Sequence, residues 1–176
     1  PNLVIMAPQD GVELEVMLEF AIALDRPVAL RYPRSVVPLS PLSPLSPLKL
    51  GKAEVLREGK DFVLIALGSM VPVSLEAIEL LEKESLKGTL VNARFVKPLD
   101  INLFKAVTAQ AKFIFSTEEG IIEGGFGSAV AEVIDRPVIK IGLPAEFIPH
   151  GSRDILLDKY GLTADGIADT IRRYVR

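Results

Sequence analysis

The stretch Phe62-Val63-Leu64-Ile65-Ala66-Leu67 is an unbroken apolar run that predicts a β-strand. A helical pattern over residues 72–84 and a second strand-like run over residues 89–93 follow it. The alternation then continues, with helices predicted over 100–109, 125–134, 152–160 and 163–174 and strands over 113–116 and 138–141. This pattern predicts an α/β domain of three layers, αβα, around a mainly parallel five-stranded sheet.

The remaining strand of this sheet is predicted over residues 53–57. Only Glu58-Gly59-Lys60 and Asp61 separate it from the run at 62–67, and a short Gly-containing connection is typical of a β-hairpin. We therefore expect residues 53–57 to pair with residues 62–67 and to form one antiparallel edge strand.

The first residues of the chain form a separate, smaller unit. An apolar run at residues 3–6 precedes Asp10 and Glu13, which are spaced as in a capping box at a helix start. Residues 28–31 are again strand-like, which completes one β-α-β unit. Chain entropy is costly for so small a unit, and we expect it to depend on the rest of the chain or on a partner.

A proline repeat divides the two parts. Pro38-Leu39-Ser40-Pro41-Leu42-Ser43-Pro44-Leu45-Ser46-Pro47-Leu48 has proline at every third position, which favours an extended linker. The alternative is a recognition motif for a proline-binding domain. We predict a first part at residues 1–35, a linker at 36–49 and a complete domain at 50–176.

Composition excludes several classes of function. The formal net charge is −3, and no Lys/Arg stripe with interleaved aromatics appears, so no nucleic-acid partner is expected. The absence of cysteine excludes disulfides, thiolate metal sites and a cysteine nucleophile. Neither a membrane-spanning run nor a secretory signal is present, so we expect a soluble, cytoplasmic protein with no membrane partner. The chain begins at Pro1, directly before a strand, which suggests an internal piece of a longer protein.

Two cationic phrases follow strand-like runs, Arg31-Tyr32-Pro33-Arg34 and Arg94-Phe95-Val96-Lys97-Pro98-Leu99-Asp100. Ligands of open α/β sheets gather at the carboxyl ends of the strands, and arginine suits phosphate and carboxylate oxygens. Arg34 is the leading binding candidate; the alternative is a surface arginine in an inter-domain salt bridge. Arg31 is expected to face its own sheet, and Asp100 to cap the next helix.

Two further features have structural and functional interpretations. The stretch from Glu118 to Ser128 carries Glu118, Glu119 and several glycines before a helix, but lacks phosphate-loop spacing. An interface loop is favoured over an anion site there, with the glutamates accepting from a partner's amides. His150, the single histidine, has no assignable catalytic partner, and a structural hydrogen bond is expected for it.

Five ordered stretches resemble the C-terminal part of the 1-deoxy-D-xylulose-5-phosphate synthases, within the transketolase-like superfamily. They are Pro1-Asn2-Leu3-Val4-Ile5-Met6-Ala7-Pro8; Arg31-Tyr32-Pro33-Arg34; Arg94-Phe95-Val96-Lys97-Pro98-Leu99-Asp100; Glu118-Glu119 with Gly124-Gly125-Phe126-Gly127-Ser128; and Ile141-Gly142-Leu143-Pro144 with Phe147-Ile148-Pro149-His150-Gly151. The resemblance covers the chain except for the proline repeat.

This resemblance implies an enzyme that condenses pyruvate with glyceraldehyde 3-phosphate, releases carbon dioxide and uses thiamine diphosphate and Mg²⁺. Its product feeds isoprenoid, thiamine and pyridoxal synthesis. Residues 1–35 would be the tail of the pyrimidine-binding domain and residues 50–176 the transketolase C-terminal domain, which closes a homodimer. Arg34 matches the family arginine that binds the phosphorylated substrate.

The family's Gly-Asp-Gly metal motif is absent from this sequence, and so is the segment that carries the family's activating glutamate. The fragment alone is therefore expected to bind no cofactor and to be inactive without the N-terminal domains of the same enzyme. The alternatives are the β-subunit of a 2-oxo acid dehydrogenase, the C-terminal subunit of a split transketolase, or a non-catalytic interaction module of the same fold.

Overall fold

The computed structural model describes residues 2–36 and 46–175. Most of the proline repeat therefore lies outside the described residues, and the predicted extended linker stays a prediction. The described elements, in chain order, are β1 (Val4–Met6), α1 (Gly11–Ala23), β2 (Val28–Leu30), β3 (Glu54–Arg57), β4 (Phe62–Ala66), α2 (Met70–Glu82), β5 (Gly88–Asn92), β6 (Phe95–Lys97), α3 (Ile101–Thr108), β7 (Ile114–Ile121), α4 (Phe126–Ile134), β8 (Ile139–Leu143), α5 (Arg153–Lys159) and α6 (Ala164–Val175).

The larger sheet has five strands in the order β3-β5-β4-β7-β8. The pairs β5–β4, β4–β7 and β7–β8 are parallel, and β3 is antiparallel to β5 at the edge. The predicted α/β class, with a mainly parallel sheet and one antiparallel edge strand, is confirmed.

Helices cover both faces of this sheet because β4 alternates between two cores. Phe62, Leu64 and Ala66 belong to a core that also contains buried residues of α2 and α6. Val63 and Ile65 belong to a second core with buried residues of α3 and α4. All five side chains of β4 are buried, as expected for a central parallel strand.

The predicted hairpin between β3 and β4 is wrong. β4 has parallel neighbours on both edges, so β3 pairs with the free edge of β5 instead. The connection between β3 and β4 is fastened to the start of β5, where the Thr89 hydroxyl donates to the Gly59 carbonyl at 2.7 Å. The amide of Asp61 also donates to the Lys87 carbonyl at 2.9 Å.

A second sheet joins the beginning of the chain to the larger part. Its order is β2-β1-β6, with β2 parallel and β6 antiparallel to β1. β6, which the apolar pattern did not predict, comes from the second cationic phrase. Its Phe95 completes a small core with Val4, Met6 and Met17. The predicted helix start at Asp10 is confirmed, since its side chain accepts from the amide of Glu13 at 2.8 Å.

Because β1 pairs with β6, which lies outside residues 1–35, we predict that residues 1–35 do not fold alone. Cleavage within residues 37–45 followed by separation should leave a C-terminal piece that melts cooperatively. The separated N-terminal peptide should lack helical structure, since α1 loses Phe95 as its packing partner. Circular dichroism of both pieces measures this, and a helical N-terminal peptide would contradict it.

Candidate functional site: a cationic cleft at the strand ends

The two sheets meet where their strands end. Ala7 follows β1, the residues from Arg31 to Pro33 follow β2, and Ser69 lies shortly after β4. Together with Glu119 near the end of β7, they line a cavity of about 100 Å³. Carboxyl ends of parallel strands are where open α/β sheets bind ligands, so this junction is the candidate site.

Glu119 links residues from different elements around the cavity. Its carboxylate accepts from the Ser69 hydroxyl at 2.8 Å and from Nε and Nη2 of Arg153 at 2.9 and 2.6 Å. Burial acts to raise the pKa of Glu119, but the hydrogen bonds from Arg153 and Ser69 and the charges of Arg153 and Arg31 outweigh it. The pKa therefore lies below the usual glutamate value, and the group is an anion at neutral pH.

Arg34 lies in an adjoining cleft of about 340 Å³. Glu119 and Arg153 are the other charged residues that line this cleft, and Pro33 and Gly151 also line it. Four side chains form its apolar wall: Leu143, Ile148, Leu156 and Leu157. Arg34 is exposed, and it has no ion-pair partner within residues 2–36 and 46–175. Its guanidinium is therefore available to a ligand.

Among the residues that line these two cavities, positive charge exceeds negative charge. Arg31, Arg34 and Arg153 contribute guanidinium groups, and Glu119 contributes the carboxylate that faces them. Such an arrangement suits a phosphate dianion, which arginine can bind through two parallel hydrogen bonds.

Arg31 does not face its own sheet as expected. Its Nη2 donates to the main-chain carbonyl of Glu119 in β7, so the side chain crosses from the small sheet to the large one. Gly120 permits this approach, since a Cβ there would lie 3.3 Å from Nη2 of Arg31 and 2.8 Å from the Glu118 carboxylate.

The second cationic phrase does not contribute an anion site. β6 runs antiparallel to β1, so Lys97 pairs with Ile5 at the end of the sheet away from Arg31 and is exposed. Arg94 lies at the same end as Arg31, but it is 2% exposed and paired with carboxylates. Asp100 caps α3 as predicted, accepting from the amide of Leu103 at 3.1 Å.

Arg94 belongs to a buried polar network, defined as Gln9, Glu13, Glu54, Asn92 and Arg94. Nε of Arg94 donates to Glu13 at 2.8 Å, and Nη2 donates to Glu54. The Asn92 amide donates to Gln9 and Glu13 at 3.0 and 3.1 Å. Burial raises the pKa of Glu13, while the Gln9 amide, the charge of Arg94 and hydrogen bonds from Asn92 and Arg94 act in the opposite direction.

The glycine-rich stretch has a structural role within this chain. β7 extends to Ile121, so Glu118 lies in a strand and not in a loop. Its buried carboxylate accepts from the amides of Phe126 and Gly127 at 2.9 and 2.8 Å, at the start of α4. The expected interaction with a partner's amides is thus replaced by a cap on its own helix, and the same carboxylate excludes an anion there.

His150 is exposed in the loop between β8 and α5. Its side chain forms no hydrogen bond within the described ranges, so the structural hydrogen bond expected for it is not observed. The described residues also contain no group of three His, Cys, Asp or Glu side chains that could hold a metal ion. None of the described helices is both long and apolar enough to cross a bilayer.

Ser69 and Arg153 are cleft residues that the sequence did not indicate. Ser69 had a usable signal, because it follows the apolar run of β4 and so lies at a carboxyl strand end. Arg153 had none, since it begins a helix of seven residues far along the chain from Arg34.

Comparison with known families agrees with this architecture. The sequence model described as "Transketolase, C-terminal domain" matches residues 51–167. The chain belongs to the transketolase C-terminal domain family. The solved structure named "Split gene transketolase, inactive beta4 tetramer" is similar, with a TM-score of 0.91 and 33% identity. That likeness covers 99% of this chain and 58% of the other.

Curated relatives confirm the resemblance to the synthases. The 1-deoxy-D-xylulose-5-phosphate synthase of Heliobacterium modesticaldum is 41% identical across 98% of this chain. The synthase of Desulforudis audaxviator is 45% identical across 97% of it. In both cases the chain spans 28% of the length of the relative.

Proposed function

We propose that this chain is the C-terminal part of a transferase that condenses pyruvate with glyceraldehyde 3-phosphate. The products are 1-deoxy-D-xylulose 5-phosphate and carbon dioxide, and the first supplies isoprenoid, thiamine and pyridoxal synthesis in the cytoplasm. The observation that carries this proposal is the identity of 41% and 45% to two such synthases along nearly the whole chain. The cationic cleft supports this proposal, because its arginines suit a phosphate group and glyceraldehyde 3-phosphate is the substrate that carries one.

Within this enzyme, Arg34 binds the phosphate of glyceraldehyde 3-phosphate. Its side chain is exposed in a cleft with excess positive charge and has no carboxylate partner in the described part of the chain. The neighbouring pair of Glu119 and Arg153 restrains the wall of the cleft, since both guanidinium contacts of that pair are shorter than 3.0 Å.

The proposed division is residues 1–35 as the tail of a pyrimidine-binding domain, 36–49 as linker and 50–176 as the transketolase C-terminal domain. The relatives are more than three times longer than this chain, which supports further N-terminal domains as partners. The C-terminal domain would contribute to a homodimer.

Thiamine diphosphate and Mg²⁺ do not fit the residues described here. The described residues form no cluster of side chains that could bind a metal ion. Glu13, the most deeply buried glutamate among them, is already paired with Arg94 and so is not available to a cofactor. We assign both groups to the N-terminal domains, where they would supply the carbanion chemistry, and we assign the fragment alone no activity.

The test compares the 176-residue chain with a full-length protein that contains it. We expect the full-length protein, with thiamine diphosphate and Mg²⁺, to release carbon dioxide from pyruvate and form 1-deoxy-D-xylulose 5-phosphate. Calorimetry of the chain alone should detect no binding of thiamine diphosphate with Mg²⁺, and it should form no product. Micromolar binding by the chain alone would contradict this assignment.

The same assay separates the alternatives. A split transketolase is favoured by the similarity to the solved split-gene transketolase, and it would transfer a two-carbon unit between sugar phosphates without consuming pyruvate. A 2-oxo acid dehydrogenase β-subunit would need a separate α-subunit, so it would form no 1-deoxy-D-xylulose 5-phosphate in this assay. A non-catalytic interaction module would leave the full-length protein inactive in all these assays.

A further inference from the structure

We propose that the ion pair between Glu13 and Arg94 is a latch that positions the Arg31–Arg34 segment, so that affinity for the phosphorylated substrate depends on a pair outside the cleft. Glu13 and Arg94 are therefore positioning residues, and neither touches the substrate. The kinetic part of this inference rests on the proposed function. The structural part stands without it.

The pair joins two parts of the chain that lie far apart in sequence. Glu13 lies on α1, whereas Arg94 precedes β6 and lies 81 residues further along. The small core at this boundary has four buried residues, of which Phe95 comes from the C-terminal part, and Leu48 and Leu50 pack against it from the same side. The polar network thus adds a charged contact between α1 and the larger domain to this apolar one.

Both charges are buried and would be costly to separate. The side chains of Arg94 and Glu13 are 3% and 1% exposed. If α1 moved away, the Glu13 carboxylate would lose its ion-pair partner while Arg94 would keep Glu54, and a buried charge without a partner is costly. The position of α1 that keeps the pair intact is consequently strongly favoured over displaced positions.

The backbone of Arg94 carries the same connection to β1. Arg94 has φ = 59°, in the left-handed region that is uncommon for a large side chain. Its amide donates to the Asn92 side chain at 3.0 Å, and its carbonyl accepts from the amide of Ala7 at 2.9 Å. Ala7 itself lines the cavity beside Arg31.

The network also reaches the cleft through the start of α1. Gln9, which accepts from Asn92, and the N-cap Asp10 line a cavity of about 200 Å³ with Tyr32, Pro33 and Ser35. A displaced α1 therefore changes the wall against which the segment carrying Arg34 lies. Because β1 pairs with β2 along its length, a displaced β1 also moves the strand that ends just before Arg31.

Glu13→Gln is the most specific variant, because it removes the negative charge of Glu13 and so the ion pair between α1 and Arg94. Arg94 remains paired with Glu54. The matched control is Glu84→Gln. Glu84 follows α2 and pairs with Arg172 of α6 at 2.7 Å, so this ion pair lies within the C-terminal part. Glu13→Asp is a milder second variant that keeps the charge on a shorter side chain.

The structural measurement is hydrogen exchange of the 176-residue chain. We expect Glu13→Gln to speed exchange of the Ala7 amide at least tenfold while amides of β4 keep the wild-type rate. Glu13→Asp should act in the same direction with a smaller effect, and Glu84→Gln should leave Ala7 unchanged. Equal exchange at Ala7 in the wild type and both Glu13 variants would overturn the latch.

The functional measurement is steady-state kinetics of the full-length protein. Glu13→Gln should raise KM for glyceraldehyde 3-phosphate about tenfold, with kcat and KM for pyruvate within about twofold of the wild type. Faster exchange at Ala7 without this change in KM would overturn the positioning role, and so would an equal change for Glu84→Gln. If the full-length protein makes no 1-deoxy-D-xylulose 5-phosphate, the proposed function fails while hydrogen exchange still decides the latch.

Discussion

Arg34→Ala in the full-length protein is expected to raise KM for glyceraldehyde 3-phosphate by about tenfold to a hundredfold. A charge-assisted hydrogen bond to phosphate contributes roughly 1.5–3 kcal/mol, and its loss appears in the affinity for the substrate that carries the phosphate. KM for pyruvate should change little. Arg34→Lys should recover only part of the loss, since an ammonium group cannot reproduce the planar fork of arginine.

The measurement is steady-state kinetics with both substrates varied. Arg57→Ala is the matched control, because Arg57 is exposed at the end of β3 and does not line the cleft. An unchanged KM for glyceraldehyde 3-phosphate in Arg34→Ala would return Arg34 to the interpretation of a surface arginine between domains.

Glu118→Ala should lower the free energy of unfolding of the 176-residue chain by about 2–4 kcal/mol. The substitution leaves the buried amides of Phe126 and Gly127 without their charged acceptor. One hydrogen bond of this type contributes roughly 1.5–3 kcal/mol, and the two share one carboxylate, so their contributions do not simply add. For a chain of this size, that loss lowers Tm by about 4–16 °C. Glu118→Gln, which keeps one carbonyl oxygen, should lose less.

Calorimetric or circular dichroism melting at neutral pH measures this effect. Glu123→Ala is the control, since Glu123 is exposed in the stretch between β7 and α4. If Glu118→Ala melts at the same temperature as Glu123→Ala, the cap on α4 does not stabilise the domain as inferred.

Much of the fold could be predicted because it follows from local patterns. Unbroken apolar runs mark the buried strands, as in β4, and Asp10 and Asp100 mark the helix starts that they cap. Strand pairing depends on the whole sheet and not on the connection alone. The hairpin prediction for β3 was wrong for this reason, since β5 and β7 occupy both edges of β4. β6 has only three residues, and its formation depends on β1, which lies far earlier in the chain.

The candidate site was predictable to a smaller extent. Arg34 could be chosen because it follows a strand end within a phrase that resembles a known family. The buried ion pair of Arg94 could not be predicted, because its partner Glu13 lies 81 residues away. The sequence shows that both residues are charged, but it does not show that they are buried. Arg153 is likewise brought to Glu119 only by tertiary packing of α5.

The most direct test of the central claim, that Arg34 binds the phosphate of the aldehyde substrate, compares two aldehydes. The ratio of kcat/KM between the wild type and Arg34→Ala is measured in the full-length protein with glyceraldehyde 3-phosphate and with unphosphorylated glyceraldehyde. We predict a ratio of about tenfold to a hundredfold for the phosphorylated aldehyde and a ratio near one for the other. Equal ratios for both aldehydes would contradict the claim.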